Sequence, residues 1–278
     1  MSDGGLPGRL VLLGHPLGHS LSPVFQNAAL RAAGINVRYE AVDVPHSALA
    51  DTMRSLRRAR EAGNVTIPYK EEVATWCDRL TAQARAVGAV NTFWTAVDGA
   101  VVGDNTDVDG FRAAVTLLVA GIPRDAVVAV LGAGGAAAAV LREIEGWPNA
   151  RVRVYSRTRD RAAQLLDRFK VSADLCETAE QAVQDATLVV NATPVGRRAD
   201  DPLPVALDAL EQAAVVIDLV YGKNETALVR DARARGHRAM DGLVMLIEQG
   251  AVAFERWFGF EPERDVMWQA VGRDPMLG

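Results

Sequence analysis

Val127-Val-Ala-Val-Leu-Gly-Ala-Gly-Gly-Ala-Ala-Ala-Ala-Val140 decides how this chain is read. Val127 to Leu131 is a short unbroken apolar run rich in β-branched residues, as in a strand covered on both faces. The chain then turns on Gly132, Gly134 and Gly135 and enters an alanine-rich segment that favours helix. Gly132 permits the tight turn, Gly134 lets backbone approach a pyrophosphate, and Ala137 leaves room for the helix to pack on the sheet. N–H groups at the new helix start then face the phosphates. A glycine-rich turn alone is common in α/β proteins. The strand before it and the helix after it point to a dinucleotide site.

The next strand, Arg151-Val-Arg-Val-Tyr155, refines the cofactor. In an NAD site an acidic residue at the strand end accepts the ribose hydroxyls. Here the run is Ser156-Arg157-Thr158-Arg159-Asp160-Arg161. A carboxylate would repel a 2′-phosphate, whereas a guanidinium binds one through two hydrogen bonds. The expected cofactor is therefore NADP(H), with Arg157 and Thr158 as first contacts and Arg161 as a second cation. Arg159 reads as part of an exposed helix start.

The chain has 278 residues, enough for two domains with good cores. Apolar residues make up 49% and charged residues 23%, as in ordinary globular enzymes. A net charge of −5 argues against nucleic acid as a partner. Cys77 and Cys176 lie far apart without metal-type spacing, which fits a reducing compartment. None of the four histidines falls in a ligand motif, so no metal is expected. The N-terminus lacks the basic-then-apolar pattern of a signal peptide, and no uncharged run approaches membrane-spanning length. The expectation is a cytoplasmic protein without a membrane partner. Oligomeric state is not legible, and a homodimer stays open.

Along the first half, residues 10–14 read as a strand, followed by the loop His15-Pro-Leu-Gly-His-Ser-Leu-Ser-Pro23. Ser22-Pro23 reads as a helix entry, with serine at the cap, and the helix stops at Gly34. Ser20 and Ser22 thus offer hydroxyls near a helix N-terminus, where an anion is favoured. Val37 to Val44 reads as a strand. A helix capped by Ser47 is expected to run to about Ala62 and close at Gly63. Asn64-Val-Thr-Ile-Pro-Tyr-Lys70 is a brief strand leading into a helix, with Lys70 in its first turn. A lysine so placed is a candidate proton donor and acceptor. A short helix is expected at Thr81–Val87. After it, Asp98-Gly99 turns a hairpin that should form an antiparallel sheet edge. The polar cluster Asp104-Asn105-Thr106-Asp107 follows, and Asp109 reads as the cap of a helix to Ala120.

The second half alternates strands and helices, implying a parallel sheet. Strands are expected at 127–131, 151–155, 186–191 and 214–219, with a weaker one near 237–240. Strand-end loops carry function in such sheets; here they include Asn191-Ala-Thr-Pro-Val-Gly196 and Asp218-Leu-Val-Tyr221. Asp241-Gly242 opens a long apolar helix, Leu243 to Phe258, and 261–271 reads as one more helix. Met245, at the loop-helix junction, is a candidate nicotinamide contact.

Six spaced motifs now stand together: Gly14-His-Pro-Leu-Gly-His-Ser-Leu-Ser-Pro23, Asn64-Val-Thr-Ile-Pro-Tyr-Lys70, Gly88-Ala-Val-Asn-Thr92, Gly103-Asp-Asn-Thr-Asp107, Gly132-Ala-Gly-Gly-Ala-Ala137 and Asp241-Gly-Leu-Val-Met-Leu-Ile-Glu-Gln249. In this order the chain resembles the shikimate dehydrogenases, from Leu10 to about Phe258. The resemblance implies an α/β protein with an N-terminal α/β substrate-binding domain, a Rossmann-type NADP-binding domain and a cleft between them. The first domain would span 1–107 and be completed by helices in 242–278; the second would span 108–241.

The resemblance further implies that Lys70 and Asp107 form the catalytic pair. Ser20 and Ser22 would hold the substrate carboxylate; Asn64, Thr66, Asn91, Tyr221 and Gln249 would hold the ring side of the substrate. The cofactor set would be Gly132, Ala133, Gly134, Gly135 and Ala136 at the turn and Ser156, Arg157, Thr158 and Arg161 beyond the second strand. Thr193, Leu219, Gly242 and Met245 would complete it from later loops. The family's NADP motif usually begins with Asn, and Ser156 departs from it. The implied reaction is the reversible reduction of 3-dehydroshikimate by NADPH to shikimate, in the route to chorismate and the aromatic amino acids. A quinate/shikimate or aminoshikimate-type dehydrogenase on the same scaffold is the nearest rival. A non-catalytic NADP-binding regulator is a remoter one, which would have no reason to keep both Lys70 and Asp107.

Overall fold

The computed structural model describes residues 7–18, 20–198, 200–222 and 224–273. Residues 1–6, read above for a leader, and His19 of the serine loop lie outside that set. The chain divides into two compact units. One holds the residues up to Gly110 together with those from Leu246 onward, and the other is Phe111–Met245.

The first unit is built on β1 (Leu10–Gly14), α1 (Ser22–Ala32), β2 (Tyr39–Asp43), α2 (His46–Arg58), β3 (Ala62–Val65), α3 (Lys70–Trp76), β4 (Arg79–Leu80), α4 (Ala82–Val87), β5 (Thr92–Thr95) and β6 (Val101–Asp104). Its sheet runs β2-β1-β3-β5-β6-β4. β1 pairs in parallel with β2 and β3; β5 runs antiparallel to both β3 and β6. Every residue of β1 is buried, which is why its sequence is continuously apolar rather than alternating. Val11, Leu13, Leu49, Leu56, Val65 and Phe93 form the core beside it. Helix α5 (Asp107–Val119) leads out of this unit.

The second unit alternates β7 (Val127–Leu131), α6 (Gly135–Ile144), β8 (Arg151–Tyr155), α7 (Arg159–Leu166), β9 (Ser172–Leu175), α8 (Ala179–Val183), β10 (Leu188–Asn191), β11 (Val215–Asp218), α9 (Ala227–Ala234) and β12 (Ala239–Met240). All its strands are parallel, in the order β12-β11-β10-β7-β8-β9. The order therefore reverses at β7, between β8 on one side and β10 on the other. Such a reversal opens a ligand crevice at the carboxyl ends of the two central strands. Two helices follow, α10 (Leu243–Phe258) and α11 (Arg264–Val271). From Leu246 they belong to the first unit, where α11 packs on α1 and Gln26 Nε2 donates to the carbonyl of Gly250 at 2.8 Å.

Four local expectations need correction. Ser22 is not the cap of α1: Leu21 takes that place, and no side chain caps the helix. Helix α2 starts after Pro45 and ends at Arg58, four residues short of the expected stop. Gly63 instead lies inside β3, where a Cβ would stand 2.0 Å from the carbonyl oxygen of Val11. Its glycine therefore reports a close strand approach and not a helix end. The hairpin β5–β6 is not the sheet edge, because the two-residue β4 pairs outside β6. Asp109 lies inside α5, which already begins at Asp107. In the second unit the edge strand β9 is an addition to the expected strands: Ser172-Ala-Asp-Leu175 is half-exposed and has too little apolar content to stand out in the sequence.

Candidate active site

Lys70 is the first residue of α3 and Asp107 the first of α5. Thirty-seven positions apart, they meet: Lys70 Nζ donates to Asp107 Oδ2 at 2.6 Å, with side chains 18% and 7% exposed. The carbonyl of Lys70 accepts the N–H of Val90 at 2.8 Å, which ties the start of α3 to the segment entering β5. A carboxylate at the start of α5 is also favoured by the helix dipole.

Asn91 is the hub beside the pair. Its Nδ2 donates toward Asp107 Oδ1 (2.9 Å), Thr106 Oγ1 (3.0 Å) and Gln249 Oε1 (3.1 Å), and its Oδ1 accepts the N–H of Thr106 at 2.7 Å. Gln249 arrives from α10 and donates to the carbonyl of Leu246 at 2.7 Å. Asn64, at the sheet centre on β3, donates from Nδ2 to the carbonyl of Asn91 at 3.1 Å and accepts from the Tyr39 hydroxyl at 2.8 Å. Asn64, Asn91, Asp107 and Gln249 are all buried, so their mutual bonds replace lost water contacts and fix their orientations. Lys70, Asp107, Asn91, Asn64 and Gln249 thus form one hydrogen-bonded cluster.

Ser20, Ser22 and Thr66 make no hydrogen bond to this cluster among the described residues. Ser20 Oγ accepts the N–H of Ser22 at 3.2 Å, which places the two serines together at the start of α1. Ser22 is buried and Thr66 half-buried. Thr66 is held by backbone bonds to Leu13 and Tyr69. Tyr221 lies in the second unit, half-buried after β11. Tyr39 and Thr106 join the network although the sequence reading assigned them no site role. A tyrosine in a strand with a buried hydroxyl needs a partner, but the sequence does not name it.

In the second unit the fingerprint turn has the geometry its glycines suggest. Gly132 sits at φ +117°, its N–H donates to the carbonyl of Tyr155 at 2.7 Å, and a Cβ there would stand 2.8 Å from the Ala192 oxygen. The ends of β7 and β10 are therefore in contact through this residue, at the point where the strand order reverses. Gly134 precedes α6, and a Cβ there would meet nothing within 4 Å, so the backbone is open to approach. Gly135 and Ala136 begin α6 half-exposed, while Ala133 and Ala137 are buried. The helix N–H groups and open turn suit a pyrophosphate.

Beyond β8, Ser156 Oγ accepts the N–H of Thr158 at 3.3 Å. Arg157, Thr158 and Arg161 are exposed. Arg159 is engaged with Glu177 at 2.7 Å, whereas Arg157 has no ionic or hydrogen-bond partner among the described residues. An exposed guanidinium without a carboxylate beside it is suited to a 2′-phosphate.

The remaining strand ends are bound to one another. Thr193 Oγ1 donates to Asn191 Oδ1 at 2.6 Å, and Asn191 Nδ2 donates to Asp218 Oδ1 at 2.8 Å. Asp218 also accepts the N–H of Val220, and the N–H of Gly242 reaches the carbonyl of Val220. Leu219 packs its backbone against Gly242, and Met245 lies buried in the first turn of α10. Burial pushes the Asp218 carboxyl up to about 6, against the lowering effect of bonds from Thr226, Val220 and Asn191; the nearby charge of Asp241 adds to the rise. Among the described residues no group of His, Cys, Asp and Glu is placed to hold a metal ion, and no helix is long and apolar enough to cross a membrane.

Three family models match the chain. One described as the shikimate dehydrogenase substrate binding domain covers residues 12–93, and one described as the shikimate 5'-dehydrogenase C-terminal domain covers 242–271. One described as NADP oxidoreductase, coenzyme F420-dependent, covers 127–222. The shikimate dehydrogenase (NADP(+)) of Chelativorans sp. (strain BNC1) is 40% identical over 257 residues, 92% of either chain. Among solved structures, the shikimate dehydrogenase of Aquifex aeolicus superposes with a TM-score of 0.89 at 34% identity, covering 96% of this chain and 98% of that one. That of Thermus thermophilus, in complex with NADP(H) and shikimate, superposes with a TM-score of 0.83 at 36% identity, covering 95% and 98%.

Proposed function

This chain belongs to the shikimate dehydrogenase family, and from that premise we propose that it reduces 3-dehydroshikimate to shikimate reversibly, with Lys70 and Asp107 handling the proton. Its cofactor is NADP(H). Bound NADPH supplies the hydride.

As hydride reaches the ketone carbon, negative charge grows on the oxygen. Lys70 donates a proton from Nζ to that oxygen and takes it back in the reverse direction. Asp107 holds the ammonium at 2.6 Å and is available to a substrate hydroxyl. Its other oxygen is already fixed by Asn91, so the pair needs little reorganisation before reaction. Gln249, Asn91 and Asn64 turn donors and acceptors toward the ring hydroxyls, with Thr66 and Tyr221 as further contacts. Ser20 and Ser22 take the carboxylate at the start of α1, where the helix end favours an anion. Gly132, Ala133, Gly134, Gly135 and Ala136 cradle the pyrophosphate, and Ser156, Arg157, Thr158 and Arg161 take the adenosine end. Thr193, Leu219, Gly242 and Met245 take the nicotinamide end.

The observation that carries the reading is the Lys70–Asp107 contact inside the shared network of Asn91 and Gln249. The first unit is the substrate domain on this reading and the second the nucleotide domain. The test is absorbance of the reduced nicotinamide, with shikimate or quinate as reductant and NADP⁺ or NAD⁺ as acceptor. The expected result is fastest turnover of shikimate with NADP⁺; a faster rate with quinate reassigns the substrate. The same reading puts the enzyme in the cytoplasm, which fractionation measures, and sedimentation decides between a monomer and a homodimer.

A further inference from the structure

Tyr39 lies outside all six motifs, yet it is bonded both to α1, through Asn27, and to Asn64. It is 1% exposed, at the start of β2. Asn27 of α1 grips its backbone from both sides: Asn27 Oδ1 accepts the Tyr39 N–H at 3.0 Å, and Asn27 Nδ2 donates to the Tyr39 carbonyl at 2.8 Å. The same Nδ2 donates to the carbonyl of Pro23 at 2.7 Å, in the first turn of the helix that begins with Ser22. From that anchored backbone the side chain reaches Asn64, where its hydroxyl donates to Oδ1 at 2.8 Å.

We propose that Tyr39 is a positioning residue for the substrate, holding the Asn64 amide in one orientation and tying it to the helix start that carries Ser22. The proposal rests on the functional reading above and extends it to a residue that reading does not use. An asparagine amide presents one acceptor and two N–H donors, and rotation exchanges them. Here one N–H is committed to the carbonyl of Asn91 and the oxygen to Tyr39. The second N–H is left over, pointing from a fixed plane, for a substrate hydroxyl.

Without the tyrosine hydroxyl, the Asn64 oxygen loses its only described donor in a place 5% exposed. A buried acceptor without a donor is costly, and the amide turns to relieve it. Because the bond partner of Asn64 is the backbone of Asn91, whose side chain holds Asp107, the restraint continues toward the reacting pair.

The experiment is Tyr39→Phe, which removes one oxygen and keeps the ring and its 6.1 Å packing on Trp257. KM for shikimate and for NADP⁺ are measured in the wild type, Y39F, N64A and the double variant, with thermal midpoints alongside. The expected result is a KM for shikimate raised about tenfold, the equivalent of one hydrogen bond. KM for NADP⁺ should be unchanged, and Y39F should add nothing in the N64A background. An unchanged KM for shikimate overturns the proposal, as does an equal rise for both substrates, which marks a merely structural role. So does an additive double variant, because Tyr39 would then not act through Asn64. If the wild type fails to oxidise shikimate at all, the functional reading itself falls and takes this proposal with it. The wild-type arm separates that case from the others.

Discussion

The two units prepare their chemistry in opposite ways. In the first, the candidate site consists of side chains bonded to each other: Lys70 to Asp107, Asp107 to Asn91, Asn91 to Gln249 and Asn64 to Asn91. In the second it consists of backbone at the glycine turn and of Arg157, an exposed cation with no described partner. Mutual bonds give orientation before the ligand arrives, which suits groups that must meet a reacting atom in one geometry. An open turn and a free guanidinium give availability, which suits a charged handle gripped away from the reaction.

The sharpest way to break this contrast is Lys70→Ala. It should lower kcat by about 10²–10⁴-fold, the span of general acid–base assistance, with a few-fold change in KM. An unchanged kcat would remove Lys70 from the chemistry and leave the network merely structural. Arg157→Ala tests the other side. A charge-assisted phosphate contact is worth about 1.5–3 kcal/mol, so KM for NADPH should rise about 10–100-fold while KM for NADH stays put. Equal losses for the two cofactors would mean that the cation does not read the phosphate.

Asp218 sharpens the comparison, since it brings side-chain bonding into the second unit. Its folded carboxyl titrates at about 6, above the ordinary 3.8. The folded state therefore holds this proton more tightly than the unfolded chain. The stability so gained is present below about pH 4 and lost as pH rises toward 6, a swing of about 3 kcal/mol. Asp218→Asn keeps a neutral acceptor and lacks that titration. Its thermal midpoint should gain on the wild type between pH 4 and 6 and hold a constant offset above pH 7. A pH-independent offset throughout would show that Asp218 is solvated. The smallest effect belongs to Ser22→Ala, with KM for shikimate up a few-fold. Its thermal midpoint should hardly move, because Ser22 makes no capping bond. A drop of the kind that follows loss of a cap, about 1 kcal/mol, would contradict the observed helix start.

The same contrast explains what the sequence makes legible. The nucleotide turn is local: Val127–Leu131, Gly132, Gly134 and the alanine run lie within one stretch, and the period of each part declares its structure. β7, β8 and α10 accordingly begin and end where the pattern places them. The side-chain network is non-local. Its members span positions 64 to 249, and only the family motifs indicate that they share a place. Tyr39 carries no such mark, because a tyrosine in a strand reads as core until its hydroxyl partner is known. Gly63 misled for a related reason: a glycine required by a crossing strand looks like one that ends a helix. The Ser22-Pro23 pair does not fix the cap, because Pro23 fits equally well one position deeper in the helix.

The sharing of one unit between the beginning and the end of the chain has a consequence for its birth. A ribosome that has made residues up to Met245 has delivered every part of the second unit, whereas the first still lacks α11 and most of α10, including Gln249. Order of synthesis and order of completion therefore differ: the half begun earliest is finished last. Until the final helices emerge, Asn91 is short of one of its partners, and the surface of α1 that α11 covers stays bare to any chaperone that meets the nascent chain.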